Sequence, residues 1–326
     1  MTSSRLPALL AVTVTAVLWG TTGTAATFAG DVGPLAIGAV SLGVGGLLQA
    51  LIAVPELRRQ RALLRTHRRT VLLGGVAVFT YPLAFYSSMH LSGVAVGTVI
   101  SLASAPLAAG LIEKFTGGAR LGQWWASAAA LGVTGAVLIS VASGERDSGD
   151  SGSGAMLAGI VLGLVAGVSY AVYAWAAFRL MVVGAGRGAA MGSVFGVGGA
   201  LLIPVLLLTG APILDSWNNV AVSAYIAVVP MFLGYVLFGY GLTALAPSTA
   251  TTVTLLEPAV AALLAVAVVG ERLAPLGWVG LALIALVLLI LAFAPQRSGD
   301  DERREGTGNT GDITPLPEPE DTHPSR

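Results

Sequence analysis

The sequence predicts an all-α integral membrane protein of ten transmembrane helices, arranged as two five-helix inverted repeats. Three observations predict it. Hydrophobic residues fill 55% of the 326 positions and charged residues 10%, with a mean hydropathy of +0.82; soluble domains carry about 25% charged residues. Ten apolar segments approach the roughly 20 residues that one crossing takes. A Gly/Ser-rich stretch, Ser143 to Gly154, divides them five and five. A β-barrel would show short alternating segments instead.

Segments one to five fall at about 7–29, 34–54, 70–90, 92–113 and 122–142, and six to ten at about 154–178, 189–209, 219–241, 246–270 and 276–294. Segment one follows Met1 to Arg5 and runs for about 23 residues, beyond the 7–15 of a signal-peptide core, so it reads as an uncleaved helix. The link from two to three is crowded with Arg58, Arg59, Arg61, Arg65, Arg68 and Arg69. Prolines lie inside segments three, four, eight and nine: Pro82, Pro106, Pro230 and Pro258. A proline removes a helix donor, so each is a candidate kink. Glycine, at 43 of 326, suits close helix contact through small residues. Beyond segment ten, residues 295–326 are polar, charged and Pro-rich, as in a disordered tail.

Charge orients the chain. With ten crossings and the N-terminus inside, the cytoplasmic links and N-terminus hold 11 Lys/Arg: Arg5, the six link arginines, Lys114, Arg120, Arg179 and Arg187. The outer links hold only Arg146 and Arg272. This bias predicts that both termini are cytoplasmic. Net charge is zero, which implies no nucleic-acid partner, and the absence of cysteine excludes disulfides, thiolate metal sites and cysteine catalysis.

The five-and-five division suggests duplication. Val17-Leu18-Trp19-Gly20-Thr21 answers Val168-Ser169-Tyr170-Ala171-Val172 at an offset of 151. Pro106-Leu107-Ala108-Ala109 answers Pro258-Ala259-Val260-Ala261 at 152, and Gly122-Gln123-Trp124 answers Leu276-Gly277-Trp278 at 154. An odd number of helices per repeat inserts the halves in opposite directions and puts a site at their interface near the midplane.

That depth is where segment nine carries Glu257, directly before Pro258. A charge there costs roughly 3 kcal/mol or more, so it usually faces a cavity or a partner. The proline disturbs the turn around Thr254 and frees backbone polarity at the same level. Glu257 could bind and release a proton, pair with a cationic solute, or simply brace segment nine with help from Thr254. Thr251 and Thr254 extend a polar stripe before it, or else bond their own helix backbone. Aromatic residues gather in segments one, three, six and eight: Trp19; Tyr81, Phe85 and Tyr86; Tyr170, Tyr173 and Trp175; Tyr235 and Tyr240. Of these, Trp19, Tyr81, Tyr86, Tyr170, Tyr173 and Tyr240 are taken as candidate lining residues, because an apolar ring with a polar tip suits amphipathic organic solutes. Core packing and interfacial belts compete with that role.

Leu18-Trp19-Gly20, Leu256-Glu257-Pro258, Gly270-Glu271-Arg272-Leu273 and Leu276-Gly277-Trp278-Val279-Gly280 together resemble the EamA-type permeases of the drug/metabolite transporter superfamily. The resemblance covers about residues 7 to 294. It implies a ten-helix carrier of the inner membrane, exporting metabolites, amino acids or drug-like solutes, with residues 1–142 and 154–294 as its repeats and 143–153 as the linker. The first repeat departs from the pattern: Gly118-Ala119 stands where a glycine–glutamate pair belongs, and Ala105 stands opposite Glu257. Expected partners are therefore a small-molecule solute, the lipid bilayer and, as one choice of coupling ion, protons; the sequence does not fix the oligomeric state. No cofactor or metal is expected, and no Walker A, HExxH or GxSxG motif is present, which argues against ATP drive by this chain and against a membrane hydrolase. The other reading carried forward is a membrane-embedded sensor or assembly component that keeps the transporter fold.

Overall fold

The computed structural model describes residues 5–26, 28–116, 122–144, 153–269 and 274–293. Most of the Ser143–Gly154 linker, Gly118-Ala119, Gly270-Glu271-Arg272-Leu273 and the tail lie outside the described residues. Every described element is helical. In chain order they are α1 (Arg5–Ala26), α2 (Pro34–Ile52), α3 (Val54–Arg59), α4 (Arg61–Thr66), α5 (Arg68–Ser92), α6 (Val94–Phe115), α7 (Gln123–Gly144), α8 (Ser153–Val182) and α9 (Arg187–Thr209), then α10 (Trp217–Ile226), α11 (Gly234–Gly241), α12 (Pro247–Val253), α13 (Leu256–Leu264) and α14 (Pro275–Phe293). Among the described residues, eight runs are long and apolar enough to cross a bilayer: α1, α2, α5, α6, α8, α9, α10 through α11, and α12 through α13. The apolar stretches of the fifth and tenth segments, Gln123–Ile139 and Pro275–Leu291, are shorter.

Helix packing follows small residues. Segments two and seven cross through α2 and α9, where a methyl on Gly46 would run into the Phe195 carbonyl and one on Gly199 would sit 2.9 Å from the Gly43 carbonyl. Lipid gives no hydrophobic drive between helices, so such backbone approach, with its dispersion contacts, holds them together. By the same means Gly135 of α7 and Gly280 of α14 admit each other's carbonyls. Segment six (α8) packs on α5 and α6, and segment one (α1) on α11 and α13. Between two and three, the short helices α3 and α4 keep Leu57, Leu63 and Leu64 half-buried and their arginines exposed.

Two of the four prolines break their helices. In segment eight a π turn, Ala227–Leu233, surrounds Pro230, and the Gly234 N–H reaches back to the carbonyls of Val229 and Met231. In segment nine the carbonyl of Thr254 loses its donor to Pro258, four residues on, and accepts the Glu257 N–H at 2.9 Å instead. The Leu255 N–H turns to Thr252, so α12 ends at Val253 and α13 begins at Leu256. The expected disturbance around Thr254 is where this break lies. The helices run on through Pro82 and Pro106.

The crossing of segments two and seven predicts an asymmetry between glycines. Gly46→Ala should cost about 1–3 kcal/mol, because the Phe195 backbone must move aside. Gly23→Ala, with nothing within 4 Å of the new methyl, should be neutral or stabilise by up to about 1 kcal/mol. Thermal unfolding in detergent distinguishes them; equal midpoints for the two variants would show that the crossing is not close-packed.

Candidate functional site

Around the two breaks lies a cluster of aromatic rings. Tyr170 and Tyr173 of α8 stack at 5.1 Å between centroids, Tyr81 of α5 lies 5.7 Å from each, and Phe85 extends the row from Tyr81 at 5.5 Å. From α1, Trp19 meets Tyr170 edge-on at 5.9 Å and Tyr235 of α11 at 4.7 Å, while Phe195 of α9 closes on Tyr235 at 4.4 Å. Tilted and edge-to-face pairs of this kind are each worth about 0.5–1.5 kcal/mol beyond area burial. The hydroxyl groups of Tyr173 and Tyr235 hydrogen-bond each other at 2.7 Å.

Side chains of segments one and two donate to the backbone near the segment-eight break. The indole N–H of Trp19 donates to the Pro230 carbonyl at 2.9 Å, Gln49 Nε2 to the Phe232 carbonyl at 2.8 Å and Thr15 Oγ1 to the Gly234 carbonyl at 3.0 Å. On the segment-nine side, Tyr170 OH and Thr254 Oγ1 bond at 2.9 Å, and Thr254 also donates to the Thr251 carbonyl. Gly20 lets α1 lie against α13: a methyl there would meet Val260 Cβ at 2.6 Å and the Glu257 carbonyl at 2.9 Å. The Trp19-Gly20 pair thus ties segment one to both broken segments, the tryptophan by a hydrogen bond and the glycine by its lack of a side chain.

Glu257 opens α13 and is half-buried. Its Oε2 atom is buried and has no hydrogen-bond partner. The carboxylate lies within electrostatic reach of Tyr86, Tyr81, Tyr170 and Tyr235. Thr254, expected as its brace, spends its hydroxyl on Tyr170 and Thr251. A buried carboxylate oxygen left unmatched is costly in an apolar medium, which makes Glu257 the candidate centre of the site.

Trp19, Tyr81, Tyr86, Tyr170, Tyr173, Thr254 and Glu257 are brought together. Tyr86 is half-buried, beside Gly38. Thr251 gives its hydroxyl to the carbonyls of Pro247 and Ser248, the backbone role that competed with a polar stripe. Tyr240 stands apart at the end of α11, 37% exposed, with the Arg187 guanidinium 5.5 Å from its ring centroid. Pro230 and Pro258 border the site; Pro82 offers its carbonyl to the close approach of Gly38. Sequence reasoning missed Gln49, Phe195 and Phe238 and left Tyr235 outside the site. Gln49 carried the clearest signal, as an uncharged polar side chain in the middle of an apolar segment. It also passed over Glu113 in segment four, 6% exposed, whose carboxylate accepts from Ser248 N and Oγ at 2.7 Å each. Among the described residues no three His, Cys, Asp or Glu side chains gather as a metal site.

These features have known counterparts. A model of the EamA-like transporter family matches residues 6–141 and 157–293. The "Uncharacterized transporter YwfM" of Bacillus subtilis (strain 168) is 33% identical over 290 residues, spanning 88% of this chain and 94% of its own. A protein of known crystal structure, 20% identical, superposes with a TM-score of 0.71 over 88% of this chain and 96% of its own, a likeness of fold. The chain, a multi-pass helical membrane protein, belongs to the EamA-like transporter family.

Proposed function

We propose that this protein is a secondary transporter that exports small organic solutes (metabolites, amino acids or drug-like compounds) across the cytoplasmic membrane, exchanging them for protons by alternating access, with Glu257 as the exchange group. The observation that carries this reading is the buried, unpartnered Oε2 of Glu257, held beside a broken helix and a wall of tyrosines. A group that must hold a proton in one step and release it in another cannot be tied permanently to a protein donor. The rings offer apolar bodies with polar tips to an amphipathic solute.

Ten crossings in two inverted repeats, residues 1–142 and 154–294, supply the movement. The packing supports this. Exchanging each segment with the one five places on turns the contact of one with eight into that of six with three. It likewise turns one with nine into six with four, and two with eight into seven with three. Two with seven, and four with nine, map onto themselves. Such a pseudo-twofold lets one bundle rock against the other about a midplane site. The Lys/Arg bias puts both termini in the cytoplasm.

Reporter fusions test the orientation. One placed after Arg65 should read cytoplasmic, and one after Asp215, in the link from seven to eight, should read external. The same side for both would end the inverted arrangement.

Tyr86→Ala should raise the half-saturating solute concentration about tenfold, a loss of about 1.4 kcal/mol, with folded protein at wild-type abundance. If flux falls only in step with abundance, the ring is a packing residue.

Glu257→Gln keeps shape and hydrogen-bonding capacity while removing ionisation. In proteoliposomes, flux driven by a pH gradient should fall at least about tenfold, within the usual range of coupling energies. Solute counterflow without a gradient should persist. Loss of both activities with normal folding would instead make Glu257 a binding group for a cationic solute. Wild-type behaviour in both would remove it from transport, and absence of any flux in the parent protein would favour a sensor or assembly role.

A further inference from the structure

We propose that Glu113 is a positioning residue for the transport cycle: its carboxylate clasps the start of segment nine and holds the path between Glu257 and the end of the molecule that carries α3 and α4 shut. The proposal deepens the alternating-access reading and rests on it. Glu113 belongs to the first half of the chain and Ser248 to the second, so the bond joins elements that rocking would separate. It is a fork: Oε1 accepts the Ser248 backbone N–H and Oε2 the Ser248 hydroxyl, both at 2.7 Å, with both residues buried. Removing a carboxylate that satisfies both a buried N–H and a buried hydroxyl leaves two polar groups without a partner.

Packing along segment nine says which state the clasp belongs to. Its first part, α12, lies chiefly against α6 of segment four; past the break, α13 lies against α1. Thr251, Thr252 and Thr254, on the clasped side of the break, are buried to within 1% of full burial. Glu257 and Ala261, one and two turns beyond, are half-buried. Segments four and nine are therefore shut together at the Glu113 end and part where Glu257 begins. A second tie at the same end acts in the same sense. Glu56 Oε2 accepts the Ala189 N–H at 3.1 Å, and Gln60 Oε1 accepts the Gly186 N–H at 2.8 Å, so the link from two to three holds the start of segment seven. With the positive links placed inside, this is the cytoplasm-closed state, and opening inward requires Glu113 to let go of Ser248.

The chain has no native cysteine, so single reporters read each side cleanly. Ala109→Cys lies one turn deeper in the membrane than Glu113 on the same face of α6, fully buried, and Ala261→Cys lies one turn toward the outside from Glu257 on the same face of α13. In proteoliposomes, a membrane-impermeant maleimide applied from the cytoplasmic side should label Ala109→Cys slowly. Adding Glu113→Ala should speed this at least about tenfold, as the clasped state loses population. Labelling of Ala261→Cys from the outside should slow in the same background. Opposite changes at the two reporters are the sign of a latch, because a merely loosened fold would speed both. Glu113→Gln, whose amide can still accept the N–H and bond the hydroxyl, should restore most of the wild-type pattern. Unchanged labelling in Glu113→Ala, or faster labelling at both reporters, overturns the proposal. Reporters that respond from the opposite faces to those stated would overturn the orientation and leave the latch standing.

Discussion

Backbone polarity in a medium without water is the constraint on which this structure turns. An apolar helix satisfies itself, but a proline at membrane depth strands a carbonyl, and each stranded group costs several kcal/mol unless a partner is found. Segments eight and nine break at the same level, around Pro230 and around Thr254. Their repair dictates much of the rest. Trp19, Gln49 and Thr15 must reach the segment-eight carbonyls, which fixes segments one and two against it. Beside the segment-nine break, whose carbonyl the Glu257 N–H satisfies, Tyr170 bonds the Thr254 hydroxyl and ties segment six to nine. The aromatic cluster is thus partly a store of hydrogen-bond donors, and its rings pack as they do because their polar tips are aimed at breaks and at one another.

The same constraint explains which parts of the fold were legible in the sequence. Segment positions follow from hydropathy alone, and the break around Thr254 follows from Pro258 removing a donor four residues on. Burial of Trp19, Tyr81, Tyr170 and Tyr173 at one place was visible only as a list of aromatic positions, since ring-to-ring geometry depends on helix rotation. Tyr240 illustrates the limit: one residue type at the end of the same segment as Tyr235 sits instead under Arg187. Pro82 and Pro106 illustrate another, for a proline ends a helix only where neighbours supply what the kinked backbone loses. Gln49 and Glu113 were harder. Their partners, the Phe232 carbonyl and Ser248, lie 183 and 135 residues away, and no local pattern announces such pairings.

Glycine takes its meaning from these approaches rather than from flexibility. Gly20 carries no conformational demand of its own, yet any side chain there would displace Val260 and the backbone of Glu257. Trp19-Gly20 therefore acts as a unit: the tryptophan needs segment eight at hydrogen-bonding distance, and the glycine needs segment nine at backbone contact. A larger residue at position 20 would push the two broken segments apart and move Glu257 relative to the tyrosines that face it. The most specific motif of segment one is thus a spacing device for a site built elsewhere.

The proposed inverted repeat would make two half-sites equivalent by geometry, and this sequence would make them unequal by chemistry. Ala105, fully buried, precedes Pro106 in segment four as Glu257 precedes Pro258 in segment nine. Two facing carboxylates near the midplane would repel, or share a proton, and the cost of desolvation would double. One carboxylate avoids this, and on the reading proposed above it leaves a single exchange group for both facing states. The acidic residue that segment four does carry lies about two turns further along, at Glu113, where it binds backbone and hydroxyl rather than standing unpartnered. The two acidic residues are thus held differently: the one in segment nine keeps a buried oxygen without a protein donor, and the one in segment four is fully engaged by Ser248.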